Sequence, residues 1–356
     1  MAKNSNLTRA KNAKNDEFYT QASDIENELK YYKSHFNGKV VYCNCDDPTS
    51  SQFWRYFYRS FKYLGLKKLI STHYNMDGSS SYALIYEGGY DNADDFNEGV
   101  VKVPLKGDGD FRSPECVEYL KQSDVVVTNP PFSLGKVYVK QLMSYHKKFL
   151  IIGNKNWITY RDVFPYLMSR EMWIGQNNVK EFKQPDGLIK KFGNIGWYTN
   201  LSLNKSTDQM ILWKEFSQVE YPVYDNYYAF ECSKVADIPI TDTIQSKIKS
   251  SSLDGWKHFY EKDLTVLSQN DDFTNVAIHH EILGVPITFL DKYNPSSNIQ
   301  NHNLAMKFDI LGCTESEGVG FSHGIWDDSS DVKQPLVHGK RKYKRLFIRR
   351  KNDEQV

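Results

Sequence analysis

Residues Asp124 to Phe132 read D-V-V-V-T-N-P-P-F, and no other segment constrains the fold as much. Three consecutive valines without polar alternation form the pattern of a strand buried on both faces, the usual condition inside a parallel sheet. The run then stops abruptly. Neither of two successive prolines can donate to a ladder, so the chain must leave the sheet at Asn129. Such a strand ends at the carboxyl edge of an open α/β sheet, where sheets of this type bind ligands.

The flanking sequence supplies the rest of the sheet. Asp24 to Phe36 sets Ile25, Leu29, Tyr32 and Phe36 at helical spacing behind an Asp cap. Lys39 to Cys45 is a second short apolar run, followed by Asp46-Asp47-Pro48 and an aromatic helix with Phe53, Phe57 and Phe61 four apart. Leu66 to His73 and Val100 to Val103 read as strands, and Tyr82 to Tyr86 as a hairpin element. Ser113 to Gln122 reads as a helix capped by Ser113 with Pro114 first in the helix. A helix from Gly135 to Lys147 and a strand from Phe149 to Gly153 follow the prolines. This alternation predicts an α/β fold with a mostly parallel sheet and flanking helices.

Composition and spacing divide the chain into a basic arm over 1–15, an α/β domain over 16–174 and a smaller mixed α/β region over 175–356. The last region is rich in aromatic, Gly, Asn and Lys residues, has short strands such as Gln209 to Trp213, and ends in a basic tail. The net charge of +1 conceals local runs: Lys340 to Lys351 holds eight Lys or Arg residues and no acid. Such a run is a solvated face or a phosphate-binding one. The five cysteines form no C-x-x-C pair, which indicates neither a disulfide framework nor a zinc site and suits a reducing cytoplasm. His279, His280, His302, His323 and His338 lack metal spacing, so no metal is expected. No secretory h-region or membrane-length apolar run is present in the sequence, so neither export nor insertion is expected.

Asn129-Pro130-Pro131-Phe132 carries the chemistry. An adenine amino nitrogen is a poor nucleophile because its lone pair is delocalised into the ring. A catalyst must accept hydrogen bonds from it and leave the lone pair facing a methyl donor. The Asn129 side-chain carbonyl and the Pro130 carbonyl are suitable acceptors, Pro131 stiffens the backbone, and Phe132 offers a stacking face to a base outside its helix. The competing reading is a Pro-Pro turn that only ends a strand.

N-P-P-F behind a hydrophobic strand resembles the catalytic signature of amino-methyltransferases, and the wider text resembles the EcoRI-type adenine-specific DNA methyltransferases. The matching segments are DEFYTQ at Asp16, VVYCNCDDP at Val40, LKKL at Leu66, YALIY at Tyr82, GDGDF at Gly107, GNIGWYTNL at Gly193 and GVPITFLDKY at Gly284. The resemblance implies a Rossmann-like methyltransferase fold with a seven-stranded, mostly parallel sheet, and S-adenosylmethionine as cofactor. It implies that Phe18, Tyr19 and Thr20 close over the cofactor's methionine part and that Asn44, Asp46 and Asp47 line the first strand-to-helix turn. Asp110 and Phe111 would read the cofactor's adenine, with Asp108 a substitute. Two departures stand out: the first turn lacks G-x-G, and the second strand ends in His73-Tyr74 where an acid commonly holds the ribose. For Asp46 and Asp47 a plain helix cap is the alternative.

The expected partner is double-stranded DNA, with a restriction endonuclease of the same site a possible companion. Lys180, Lys183, Lys190, Lys191 and Lys205 accompany Trp197, Tyr198 and Asn200, and the tail adds Lys340, Arg341, Lys342, Lys344 and Arg345. Basic residues among aromatic and amide groups suit phosphate contacts and base reading, although Trp197 and Tyr198 suit a core equally well. Three rival readings stay open at this point: an RNA adenine or protein glutamine methyltransferase, a nicotinamide-dependent enzyme without G-x-G-x-x-G, and a catalytically dead DNA-binding protein.

Overall fold

The computed structural model describes residues 19–45, 47–75, 80–89, 98–160, 162–183, 188–202, 223–224, 227–229, 282–293, 308–313, 336–337, 340–341 and 345–350. The chain forms two compact units, Met1–Trp157 with Glu171–Lys205, and Ile158–Arg170 with Ser206–Val356.

The first unit opens with β1 (Tyr19–Thr20), α1 (Ala22–Leu29), β2 (Val40–Cys43), α2 (Gln52–Arg59) and α3 (Phe61–Leu64). It continues through β3 (Lys68–Thr72), β4 (Tyr82–Tyr86), β5 (Val101–Pro104), α4 (Pro114–Gln122), β6 (Val125–Thr128), α5 (Gly135–Ser144) and β7 (Lys148–Asn154). After α6 (Phe164–Met168), which lies in the second unit, β8 (Trp173–Lys183) and β9 (Ile189–Thr199) return to the first. The strands form one nine-stranded sheet in the order β1-β8-β9-β7-β6-β2-β3-β4-β5.

That sheet corrects the expectation of a seven-stranded, mostly parallel one. Parallel pairing is confined to β3-β2-β6-β7, and every other neighbour is antiparallel. The cause is local. β4 follows β3 through a short connection and pairs back on it as a hairpin does, and β8 and β9 are likewise consecutive and antiparallel. The position 174/175 falls inside β8, so residues on both sides of it belong to one sheet.

The parallel strands carry the core. All four residues of β2 and all four of β6 are buried, as their unbroken apolar runs require. At the entry to these strands Asp124 accepts from the Val40 N–H at 2.8 Å while its own N–H donates to the Val40 carbonyl at 2.9 Å, fixing the β2–β6 register. The first helix is shorter than the sequence suggests, ending at Leu29, with a 3-10 turn at Lys33–His35. Gln21 stands at the cap position expected of Asp24. Tyr32 and Phe36 are still fully buried. The aromatic helix breaks at Ser60 into α2 and α3.

In the second unit β10 (Val223–Tyr224), β11 (Tyr227–Ala229), β12 (Ile282–Pro286), β13 (Phe308–Cys313) and β16 (Arg345–Arg350) form a five-stranded sheet ordered β10-β11-β12-β16-β13. β14 (Leu336–Val337) pairs with β15 (Lys340–Arg341). Val285, Phe308, Ile310, Leu346 and Ile348 are buried there. The basic tail is therefore not a simple solvated run, because β16 lies between β12 and β13. Gln209 to Trp213 and the five histidines named above lie outside the described residues.

Candidate active site

The chain leaves β2 for β3 on one side and later returns as β6 on β2's other side, so β2 and β6 flank a topological switch point. A crevice opens beyond the carboxyl ends at such a point. Asn44, Cys45 and Asp47 follow β2 there, and Asn129 to Phe132 follow β6. Buried hydrogen bonds tie the two strand ends together. The Thr128 hydroxyl donates to the Asn44 carbonyl, and the Tyr138 hydroxyl on α5 donates to Asn44 Oδ1. Burial pushes the Tyr138 phenol well above its usual range, so it remains a donor. Asn44 therefore buttresses the crevice from inside, at 2% exposure.

A third segment reaches the same edge from β5. Gly109 takes φ +84, and a Cβ there would lie 1.8 Å from the His73 carbonyl, so only glycine permits the loop to lie against the end of β3. The Asn75 N–H donates to the Asp108 carbonyl at 2.7 Å, and the Ser81 N–H to the Gly107 carbonyl at 2.9 Å. Phe111, which follows, is buried edge-on against Tyr138 with ring centroids 4.9 Å apart. Tyr138 thus touches the residues expected to hold cofactor at two places, and nothing in its helical spacing distinguishes it from an ordinary core tyrosine.

Phe132 begins a 3-10 turn and is 7% exposed, like Asn129. Its ring meets Trp157, Phe182 and Phe192 edge-on at centroid distances of 6.4, 6.0 and 6.4 Å. Trp157 in turn stacks on Tyr198 at 5.5 Å. Two glycines make room for its indole: a Cβ on Gly135 would come within 2.0 Å of the ring, and one on Gly153 within 2.2 Å. Pro130 is buried and Pro131 half-buried. Sequence alone does not mark Trp157, Phe182 and Phe192: Trp157 lies in a 3-10 turn just after β7, and the strands of the two phenylalanines reach the site only because β8 pairs with β9 and β9 with β7.

Among the expected cofactor residues, Phe18 and Asp46 lie outside the described residues, and Tyr19 is described in its backbone only. Thr20 pairs with Phe182 across β1 and β8. Its hydroxyl is buried with no hydrogen-bond partner among the described residues. Asp47 accepts from the Thr49 N–H at 2.9 Å and the Thr49 hydroxyl at 2.8 Å, the geometry of a turn-capping aspartate, while Ser51 caps α2 itself. Asp108 Oδ1 accepts from the Asp110 N–H at 3.0 Å. Asp110 is clasped by Arg112: Nε donates to Oδ1 at 2.9 Å and Nη2 to Oδ2 at 2.6 Å, with the Arg112 N–H adding a third bond at 2.8 Å. This guanidinium holds the Asp110 carboxyl below its usual range. A carboxylate offers about four acceptor positions, so one remains on Oδ2.

The residues expected to meet DNA separate into two groups. Lys180 and Lys191 are exposed on β8 and β9; Lys191 pairs with Glu181 at 3.1 Å, and half-buried Lys190 lies 5.3 Å from the Phe192 ring centroid. Lys183, Lys340, Arg341 and Arg345 are described in their backbone only, and Lys205, Lys342 and Lys344 fall outside the described residues. Trp197 and Tyr198 correct the expectation, since both are fully buried and cannot face a duplex. β9 lies between β7 and β8, which encloses these side chains in the sheet's core, with Trp197 edge-on to Phe53 at 6.0 Å. Asn200 closes the start of β7, accepting from the Phe149 N–H and donating to the Lys147 carbonyl, each at 2.9 Å. Its amide is used in holding the sheet together.

Among the described residues no cluster of His, Cys, Asp and Glu suits a metal, and no helix is long and apolar enough to cross a membrane. Residues 6–245 match the family described as adenine-specific methyltransferase EcoRI. The chain is 35% identical to the Type II methyltransferase M.EcoRI of Escherichia coli and 32% identical to the Type II methyltransferase M.MpnI of Mycoplasma pneumoniae, each alignment covering 98% of both chains. The Type II methyltransferase M.MgeORF184P of Mycoplasma genitalium is 30% identical over 97% of this chain and 98% of its own. No solved structure matches the chain.

Proposed function

The chain belongs to the adenine-specific methyltransferase EcoRI family, and from that premise we propose that it transfers a methyl group from S-adenosylmethionine to the exocyclic amine of adenine within a specific site in duplex DNA. The observation that carries this reading is the position of Asn129-Pro130-Pro131-Phe132 at the carboxyl end of β6, beside the turn that follows β2. A relative named a Type II methyltransferase suggests the modification half of a restriction-modification pair, with an endonuclease of the same site as companion.

The cofactor fits the donors present. The buried Thr20 hydroxyl lacks a partner among the described residues, and Asp110 keeps one acceptor position beside the Phe111 ring. Thr20 suits the polar methionine end, while Asp110 and Phe111 suit the amino group and face of the adenine ring. The bound group supplies an electrophilic methyl on a sulfonium, so no metal need activate it. Asn129 Oδ1 and the Pro130 carbonyl then accept from the target amine, which directs its lone pair away from the base plane and stabilises the charge that grows on nitrogen. Pro131 fixes that carbonyl, and Phe132 supports the base after it is rotated out of the duplex at a cost of a few kcal/mol. Lys180, Lys190 and Lys191, with Lys183 and the basic residues Lys340, Arg341, Lys342, Lys344 and Arg345, supply phosphate contacts in this reading.

Asn129→Ala tests the assignment. Methyl transfer to duplex DNA falls below detection while calorimetric affinity for S-adenosylmethionine stays within about twofold, because the cofactor-side donors are untouched. Near-normal turnover in the folded variant refutes the catalytic role. Equal assays on RNA and on protein glutamine separate the remaining acceptors, since the same geometry serves any planar amino nitrogen.

A further inference from the structure

We propose that a basic, tyrosine-lined groove at the opposite end of the sheet from the N-P-P-F motif binds a single strand of nucleic acid, through its phosphates and one stacked base. The groove is shallow and open to solvent, offers about 610 Å³, and is lined by Lys30, Tyr31 and Lys33 on one wall and Lys62 and Tyr63 on the other, with Asn37 and Gly65 at its floor. Among the described residues its lining holds three lysines and no acid.

The fold makes this surface rigid. Leu29, Tyr32 and Phe36 turn into the core, which leaves Lys30, Tyr31 and Lys33 facing out from the chain between α1 and β2. On the other wall Leu64 is buried, while Lys62 and Tyr63 are exposed. The walls are joined where the Gly38 N–H donates to the Gly65 carbonyl at 2.7 Å. Gly65 takes φ +65, a left-handed conformation that favours glycine at the floor.

Two features distinguish the groove from a scatter of surface lysines. Tyr63 is 69% exposed, and the Lys33 ammonium reaches across from the first wall to sit 3.5 Å from its ring centroid, which biases the orientation of this exposed ring. Within the first wall Lys30 Nζ lies 5.2 Å from the centroid of Tyr31, itself 37% exposed. The acids nearby in α1 stand outside the lining: Glu28 is buried against β8, and Glu26 lies a turn before Lys30. Ordered ring faces beside clustered lysines match the chemistry of single-strand binding, in which bases stack on aromatic side chains and phosphates meet cations. A duplex keeps its bases stacked on each other and cannot use the rings.

The groove lies where β2 and β3 begin, whereas Asn44 and Asn129 lie where β2 and β6 end. A strand held there is not the one being methylated, and the proposal stands or falls by binding, independently of methyl transfer. The test is fluorescence anisotropy of the full chain with a labelled oligothymidylate of about ten nucleotides, within the span of known single-strand sites. Lys30→Gln with Lys62→Gln flattens the slope of log affinity against log salt by roughly 0.7 for each phosphate no longer neutralised. Tyr63→Ala weakens binding by about five- to a hundredfold, the value of one stacked base, and Tyr63→Phe restores it. Polyglutamate, which has charge but no rings, competes poorly, and methylation of a duplex is unchanged in all three variants. An unchanged salt slope overturns the proposal, as does a Tyr63→Ala variant of full affinity, or competition by polyglutamate or a duplex as strong as by the single strand.

Discussion

The ion pair between Asp110 and Arg112 sets the pH range over which the proposed cofactor contact stays charged. The carboxylate is only 19% exposed, and Arg112 holds it below the usual carboxylate value through two side-chain bonds and one backbone bond. A depressed folded pKa means that whatever depends on the charged form is present above the unfolded pKa and is lost only as pH falls through the folded one. If Asp110 reads the cofactor as proposed, the guanidinium keeps an acceptor available to the cofactor's amino group into acid. Arg112→Met removes that support, so the acid limb of S-adenosylmethionine binding moves to higher pH while affinity at neutral pH changes little. Calorimetry from neutral to acid follows the limb directly. An acid limb that does not move would detach Asp110 from cofactor recognition, leaving Phe111 and Thr20 as the contacts to examine.

At the scale of elements, what holds α1 to the sheet is a buried acid. Glu28 accepts from the backbone N–H groups of Gln176 and Asn177 at 2.7 Å each, from Asn177 Nδ2 at 2.9 Å and from the Tyr32 hydroxyl at 2.9 Å. Burial pushes its carboxyl up, and these four donors work against that rise. They also secure β8 where its pairing with β9 shifts register between Ile174 and Asn178. Glu28→Ala strands these donors in the interior and is expected to destabilise the fold by about 3 kcal/mol or more in denaturant unfolding. A loss below about 1 kcal/mol would mean that β8 finds other acceptors. This clamp was not legible in the sequence, where Glu28 occupies a helix that reads as amphipathic and ordinary. β6 was legible because an unbroken valine run stopped by two prolines admits few structures, and Ser113-Pro114 marked the start of α4 correctly. The carboxyl-edge positions of Asn44 and Asn129 followed from the same pattern. Trp197, Tyr198 and Asn200 were harder, because an aromatic and amide-rich strand serves a core or a surface equally well. Only the neighbours of β9 decide between them.

For the whole molecule, the C-terminal run Lys340 to Lys351 has to be understood as two things superimposed. Its charges suit phosphates, yet Leu346 and Ile348 are fully buried and β16 pairs with β12 on one side and β13 on the other. Leu346, Phe347 and Ile348 form a short apolar stretch inside the cationic run, with Leu346 and Ile348 buried at the period of a strand, and the eight charges obscure it. Truncation before Arg345 therefore removes an interior strand from the second unit's sheet. Its expected result is loss of that unit's calorimetric transition together with site-specific DNA binding, which would say nothing about phosphate contacts. Replacing Lys340, Arg341 and Arg345 by Gln separates the two roles, because the buried leucine and isoleucine stay. The folded triple variant should keep its site preference, since sequence is read at base edges and not through like charges. Its salt slope should flatten by roughly 0.9 for each phosphate left without its cation, equally on specific and random duplexes. If the slope is unchanged while the transition is intact, these side chains are solvated surface, and the phosphate contacts belong to Lys180, Lys190 and Lys191 on β8 and β9.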